Sequence, residues 1–302
     1  MLDADEPHLS IRKQCELIGY NRSNVYYNPH PRISTTQEFK EAVMRRLDYW
    51  SIREPAWGIS KLVPVLANEG LKVSRELCRE LRRHMGLETI YPKRRKKWGG
   101  YKSNPRKLPY LLNELRNNGM IWLPNLVWAI DITYIPMAGG HMYLTALIDW
   151  FSRYILGWEL SDTLDTAPVL DCVKRANLSH GLPSILNSDQ GTQFTSNDYM
   201  LYLQEQGIRQ SMDGQGRWVD NVIIERWFRS LKIERIYINE YNSPRELRSD
   251  ISEYVDRYNH IRPHQSLKDR TPHDVYSSVF RNEDAIAQLR SGGGIFEIEI
   301  LD

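Results

Sequence analysis

Asp131, Asp189 and Glu225 are three acids set in three different local patterns. Asp131 interrupts the apolar run VWAIDITYI, Asp189 closes ILNSD, and Glu225 lies in DNVIIERWF. The first two are separated by 57 residues, and Asp189 and Glu225 by 35. An acid inside an apolar strand is costly to bury unless something pairs with it. A single one is usually a paired structural residue. Three of them, in strand, strand-end and helix contexts, point to one shared site. Carboxylates are hard oxygen ligands of the kind Mg²⁺ prefers. Two divalent ions held about 4 Å apart can activate an oxygen nucleophile and stabilise a leaving oxygen at a phosphodiester.

Polar residues flank each acid at useful intervals. Asn221 and Glu225 are four apart and share a helical face, so Asn221 is placed to orient Glu225 or a bound strand. Arg229 and Lys232 follow Glu225 by four and seven positions and are suited to holding phosphates, although solvated helix charges show the same pattern. Gln190, Thr192 and Gln193 follow Asp189 in what reads as a strand-end loop facing a bound strand. His260, Arg262 and His264 cluster beyond a later helix and are candidates for touching phosphate, without a catalytic role.

The elements that must position these groups can be read from periodicity. Residues 127–136 form a strand, Met137 to Gly140 a hairpin turn, and HMYLTALIDW and SRYILGWEL two further strands. TAPVLDCVKRANL (166–178) reads as a helix with Pro168 in its first turn. A strand ending at Asp189, a helix over 197–206, a short strand over 208–212 and the helix bearing Glu225 complete the series. Three antiparallel strands followed by alternating helix and strand predict an α/β, ribonuclease H-like core with a mixed five-stranded sheet.

Upstream, residues 1–35 read as a small helix-turn-helix-like segment around Gly19, a pattern that a plain helical hairpin also fits. Residues 36–90 read as a helical helix-turn-helix domain whose last helix, capped by Ser74, carries Arg75 and Arg79 on its outer side. Pro64 is expected to kink or shorten the helix that holds it. Residues 91–122 form a basic linker. Lys93, Arg94, Arg95, Lys96, Lys97, Lys102, Arg106 and Lys107 stand there with no intervening acid and with interleaved aromatics, a composition suited to phosphates and bases. The core spans 123–240. A helical extension, opened by Ser243-Pro244, covers 241–285, and a flexible tail 286–302.

Composition bounds the rest. A chain of 302 residues, 41% hydrophobic with 9 Trp, is enough for two or three packed domains. A net charge of +2 says little about DNA, so the local clustering of cations carries that inference. Cys15, Cys78 and Cys172 are far apart and form neither a zinc pattern nor a CxxC pair, which fits reduced thiols. No apolar run is long enough to span a membrane, and the acidic, polar N-terminus does not read as a signal peptide, so a cytoplasmic protein is expected.

Together WAIDITYI, DWFSRYILGW, NSDQGTQFTS, SMDGQGRWVDNVIIERWFRSLK and YNHIRPHQSLKDRTP resemble the OrfB-type catalytic subunit of the IS-three family of insertion-sequence transposases, over roughly residues 10–280. No single motif is specific, but the set is. The resemblance implies a retroviral-integrase-like core in which Asp131, Asp189 and Glu225 are the DDE metal ligands for two Mg²⁺ or Mn²⁺ ions. It implies hydrolytic nicking at element ends followed by transfer of the freed 3′-OH. It implies double-stranded DNA partners (terminal inverted repeats and target), at least a dimer on paired ends, and a bacterial, nucleoid-associated location. Family members are commonly fused to an upstream helix-turn-helix and zipper-like segment. The absence of a sustained heptad at the start of this chain leads to the expectation of a separate downstream product or of a variant acting alone. Two other functions fit the residues less well: a catalytically silent DNA-binding protein of the same descent, and a ribonuclease H-type nuclease.

Overall fold

A computed structural model describes residues 9–25, 33–91, 110–112, 121–137, 140–212 and 221–280. The chain divides into two compact units, Met1–Arg46 and Leu47–Asp302, with the boundary inside a helix. In the first unit, α1 (Ile11–Leu17) is capped by Ser10, whose hydroxyl accepts from the Lys13 amide at 3.4 Å, and it buries Cys15. Gly19 turns the chain at φ 63°, and α2 (Arg22–Val25) follows. α3 (Ile33–Arg53) starts in this unit and ends in the second.

The second unit opens with a small helical module. Trp50 of α3 stacks on Trp57 with ring centroids 5.4 Å apart, which folds the chain back into α4 (Ile59–Asn68). Pro64 lies inside α4, and the helix continues past it for a further turn. One missing hydrogen bond and its steric cost, about 3 kcal/mol, are offset by the burial of Leu62, Val65 and Leu66, each worth about 1.5–3 kcal/mol. Gly70, at φ 86°, ends the turn after α4. In α5 (Arg75–His84), the Ser74 hydroxyl accepts from the Leu77 amide at 3.1 Å, and Cys78, Leu81 and Arg82 face inward.

The core is a five-stranded mixed sheet in the order β3-β2-β1-β4-β5. β1 (Val127–Met137) pairs antiparallel with β2 (Gly140–Asp149), and β2 antiparallel with β3 (Ile155–Ser161). β4 (Ile185–Ser188) is parallel to β1, and β5 (Arg209–Met212) is parallel to β4. A parallel crossover usually runs through a helix; here these are α6 (Thr166–His180) between β3 and β4, and α7 (Asn197–Glu205) between β4 and β5. This is the ribonuclease H-like arrangement expected from the sequence.

Strand periodicity separates the two faces of the sheet. Val127, Ala129, Ile135, Ala146 and Ile185 pack in one cluster with α8 (Val222–Leu231) and α9 (Pro244–His260). Trp128, Ile130, Leu147 and Leu186 pack on the other face with α6 and α7. β1 is covered on both sides, which is why its first four residues read as a continuous apolar run. Asn259 pins α9 to β3 by accepting from the Ile155 amide at 2.9 Å and donating to its carbonyl at 3.0 Å.

α8 runs directly into a π-helical turn, Lys232–Ile236. α9 starts at Ser243, whose hydroxyl accepts from the Glu246 amide while the Glu246 carboxylate accepts from the Asn242 amide, a variant of the capping box. A 3₁₀ turn, Gln265–Leu267, follows. Thr271 and Asp274 then form a second reciprocal pair that opens α10 (Pro272–Phe280): the Thr271 hydroxyl accepts from the Asp274 amide, and the Asp274 carboxylate from the Thr271 amide. Among the described residues no helix is long and apolar enough to cross a membrane.

Candidate active site

The register between β1 and β4 relates the strands that lead to the first two acids. Val127 pairs with Ile185 and Ala129 with Asn187, an offset of 58 positions that is also the offset from Asp131 to Asp189. The last paired residues are Ala129 and Asn187, and Asp131 and Asp189 each follow that pair by two positions. Both fall on the alternation of Val127, Ala129 and Ile185, the face covered by α8. The Asp131 Oδ1 accepts from the Ile132 amide at 2.7 Å, and the Asp189 Oδ1 from the Gly191 amide at 2.9 Å. Burial raises the Asp189 pKa above the usual carboxylate value, and the Gly191 N–H pulls it partly back.

Gly191 is a glycine for a local reason. A Cβ at that position would lie 2.9 Å from the Asp189 Oδ1, closer than a side-chain carbon tolerates. The Asp189, Gln193 and Phe194 side chains crowd that position, so a substituent there requires them to shift.

α8 supplies the third acid. Ile224, Trp227, Phe228 and Leu231 bury one stripe of the helix, and Glu225 stands exposed beside that stripe in the first turn. Its amide donates to the Asn221 carbonyl at 3.1 Å. A carboxylate in the first helical turn is favoured by the N-terminal end of the helix dipole. The far end of α8 is tied to β1, where Lys232 Nζ donates to the Thr133 hydroxyl at 2.6 Å. Thr133 is two residues beyond Asp131 on the same face of the strand, and Glu225 is two turns before Lys232 on the helix.

Another acid in the same sheet shows what a structural carboxylate looks like here. Asp149, fully buried at the end of β2, accepts from the Asn125 amide, the Ser152 amide and the Ser152 hydroxyl at 2.8, 2.7 and 2.6 Å. One of its oxygens is consumed by Ser152 in the β2–β3 turn and the other by the Asn125 amide ahead of β1. The donor set of Asp131, Asp189 and Glu225 is oxygen only, matching a hard divalent cation. The Asn221 Oδ1, buried at the N-cap of α8, has no hydrogen-bond partner among the described residues. Among the described residues no three His, Cys, Asp or Glu side chains are already closed into a metal-holding cluster.

Gln190 is half-buried and Thr192 exposed in the loop after Asp189. Gln193 uses its amide to donate to the Leu164 carbonyl at 2.8 Å and so anchors that loop. Asn221 is buried, Arg229 is exposed one turn beyond Glu225, and Lys232 is half-buried on Thr133. Arg75 and Arg79 are exposed on α5, while their neighbour Arg82 turns inward to the Trp57 and Leu87 carbonyls and the Thr89 hydroxyl. Lys93, Arg94, Arg95, Lys96, Lys97, Lys102, Arg106 and Lys107 lie outside the described residues, as does the 286–302 tail.

Arg262, expected near phosphate, is instead 7% exposed and ion-paired with Glu234 at 2.6 Å. Its partner lies 28 residues upstream, so the run of cations around the proline turns gives no sign of it. Thr133 and Gly191 are likewise invisible in the sequence: a threonine in a strand and a glycine in a loop carry no signal of their own.

Residues 123–217 match the integrase core domain family, and residues 206–272 match a second family of the same description. The transposase for insertion sequence element IS904 of Lactococcus lactis is 30% identical, covering 81% of this chain and 97% of its own length. The transposase InsF for insertion sequence IS3A of Escherichia coli is 28% identical over 87% of this chain and 92% of its own. Among solved structures, the HTLV-2 integrase catalytic core domain in complex with magnesium is similar at 18% identity and a TM-score of 0.43, covering 51% of this chain and 97% of that one. The sheet and the two family matches define an integrase-core protein. With those relatives across most of its length, the chain belongs to the IS-three family of insertion-sequence transposases.

Proposed function

We propose that this transposase nicks the 3′ ends of its element and transfers them to a new phosphodiester at a DDE site made of Asp131, Asp189 and Glu225. The observation that supports this reading is the β1–β4 register, whose offset of 58 positions is also the offset from Asp131 to Asp189. Those three side chains would hold two Mg²⁺ or Mn²⁺ ions. When bound, the ions supply an activated oxygen nucleophile and neutralise charge on the departing 3′ oxygen.

The chain's own residues do the rest. Burial disfavours an isolated charge on Asp189, so its ionised form is favoured by a cation beside it. The tight Gly191 turn fixes its Oδ1. Asn221 orients the first turn of α8, and with it Glu225. Lys232 and Arg229 offer cations beside the acids for the phosphates flanking the scissile bond, with Thr133 steering the Lys232 ammonium. Gln190 and Thr192 line the approach to Asp189. Arg75 and Arg79, together with the basic run from Lys93 to Lys107, bind the duplex of the terminal repeats. Coordinated joining of two ends calls for at least a dimer on DNA, and an upstream-frame helix-turn-helix protein is a further partner of this reading. The site of action is the bacterial cytoplasm, at the nucleoid.

The test uses labelled terminal-repeat DNA, a target plasmid and Mg²⁺ or Mn²⁺. Joined products are the expected result. Nicks without joining would favour a nuclease or a missing upstream partner, and binding without cleavage in either metal would favour a silent DNA-binding protein.

A further inference from the structure

The π turn after α8 is the meeting point of four parts of the second unit. Its first residue, Lys232, reaches β1 through Thr133. Glu234 accepts from Lys61 of α4, from Arg262 Nη2 at 2.6 Å and from the Tyr254 hydroxyl of α9 at 3.3 Å. Arg235 reaches Glu54, in the turn between α3 and α4, at 3.1 Å, and Asp250 of α9 at 3.8 Å. Glu54 is gripped a second time by Arg257 Nε of α9 at 3.1 Å. Glu54 and Glu234 are 2% and 4% exposed.

Stability alone does not account for such a cluster. Taking charges out of water costs several kcal/mol per ion, and well-packed apolar residues often do as well. A buried ion cluster does discriminate between registers. Shifting the π turn by one residue against α4 would leave at least one enclosed charge without its partner. π turns insert one residue into a helix and recur at functional positions. This one sends Lys232 to the sheet while Glu234 and Arg235 turn toward the helical module.

We propose that Lys61 and Glu54 are positioning residues for the strand-transfer reaction. Through Glu234 and Arg235 they lock the π turn in the register that places Lys232 on Thr133 and Glu225 at the site. The helical module carrying Arg75 and Arg79 and the helix carrying Glu225 then behave as one body. Lys61 and Glu54 act through the turn, with no role in touching DNA or metal. The inference rests on the proposed DDE site.

The experiment compares the full chain with Lys61→Met, Lys61→Arg and Glu54→Gln, using pre-nicked terminal-repeat DNA at saturating concentration with Mg²⁺. The single-turnover joining rate is followed beside the DNA Kd and the circular dichroism spectrum. Lys61→Met is expected to join ends at least ~10-fold more slowly with Kd changed less than ~2-fold, and Lys61→Arg to recover most of the rate. Glu54→Gln, equal in size and still able to accept hydrogen bonds, is expected to lose rate in the same way while folded. A folded Lys61→Met or Glu54→Gln that joins ends at the unaltered rate would overturn the proposal. So would a loss confined to DNA affinity, or a failure of both variants to fold, which would make the cluster a stability element. If the unmodified chain neither nicks nor joins terminal-repeat DNA, the DDE site itself fails, and the inference with it.

Discussion

Asp131 lies in β1, and Asp189 directly follows the last residue of β4, the strand parallel to it. The Asp189 Oδ1 accepts from the Gly191 N–H, and a Cβ at Gly191 would lie 2.9 Å from that oxygen. Gly191→Ala therefore pushes the Asp189 carboxylate off its position. The expected outcome is a joining rate lower by at least about ten-fold, the size of effect that small misplacement of a catalytic group has elsewhere, with the fold retained by circular dichroism. An unchanged rate would show that the turn does not set the carboxylate. The acids themselves are legible in the sequence, because a charge inside an apolar frame stands out. Thr133 and Gly191 are not, since what matters is the atom each one meets, Lys232 Nζ and Asp189 Oδ1. Arg262 shows the opposite failure: a cation among cations reads as solvent-facing, and only the fold sets Glu234 beside it.

The elements follow periodicity closely where one pattern dominates. β1, β2, β3, α6 and α9 fall where alternation and helical spacing place them, because each buries a clear face. The π turn cannot be read, as it begins where a regular helix pattern simply runs on. The ion cluster around it also shapes the titration of its neighbour. His264 packs edge-on against Tyr258 with ring centroids 4.7 Å apart. Burial, then Arg262 and Lys61, pushes its pKa down to about 3 from 6.5. A base with a depressed folded pKa is neutral in the fold but protonated in the unfolded chain at pH values between the two. Its contribution is complete above pH 6.5 and is lost as pH falls toward 3. The slope is at most about 1.4 kcal/mol per pH unit. Denaturant unfolding of the chain and of His264→Gln at several pH values between neutral and mildly acid isolates this group. The stability difference between them should narrow as the pH falls; a constant difference would refute the assignment.

At the scale of the molecule, the division at Arg46 and Leu47 groups α4 and α5 with the five-stranded sheet. The helical character of this module is legible in its spacing of apolar residues. The buried pairs of Glu54 and Lys61 that tie it to the π turn and α9 have no sequence signature, because their partners lie far along the chain. Exposed cations on α5 are the feature of this module that would meet DNA. Replacing Arg75 and Arg79 by alanine should weaken binding to the terminal repeat and reduce the slope of log K against log salt by about one for each phosphate no longer neutralised. An unaltered salt slope would remove α5 from the DNA interface.

If Asp131, Asp189 and Glu225 form one metal-holding site, calorimetric titration of Mn²⁺ into the full chain bound to terminal-repeat DNA is its most direct test. The same titration is run on Asp131→Asn, Asp189→Asn and Glu225→Gln. About two ions per active site in the unmodified chain, with binding weakened or lost in each variant, is the predicted result. Equal stoichiometry and affinity in the unmodified chain and every variant would contradict it.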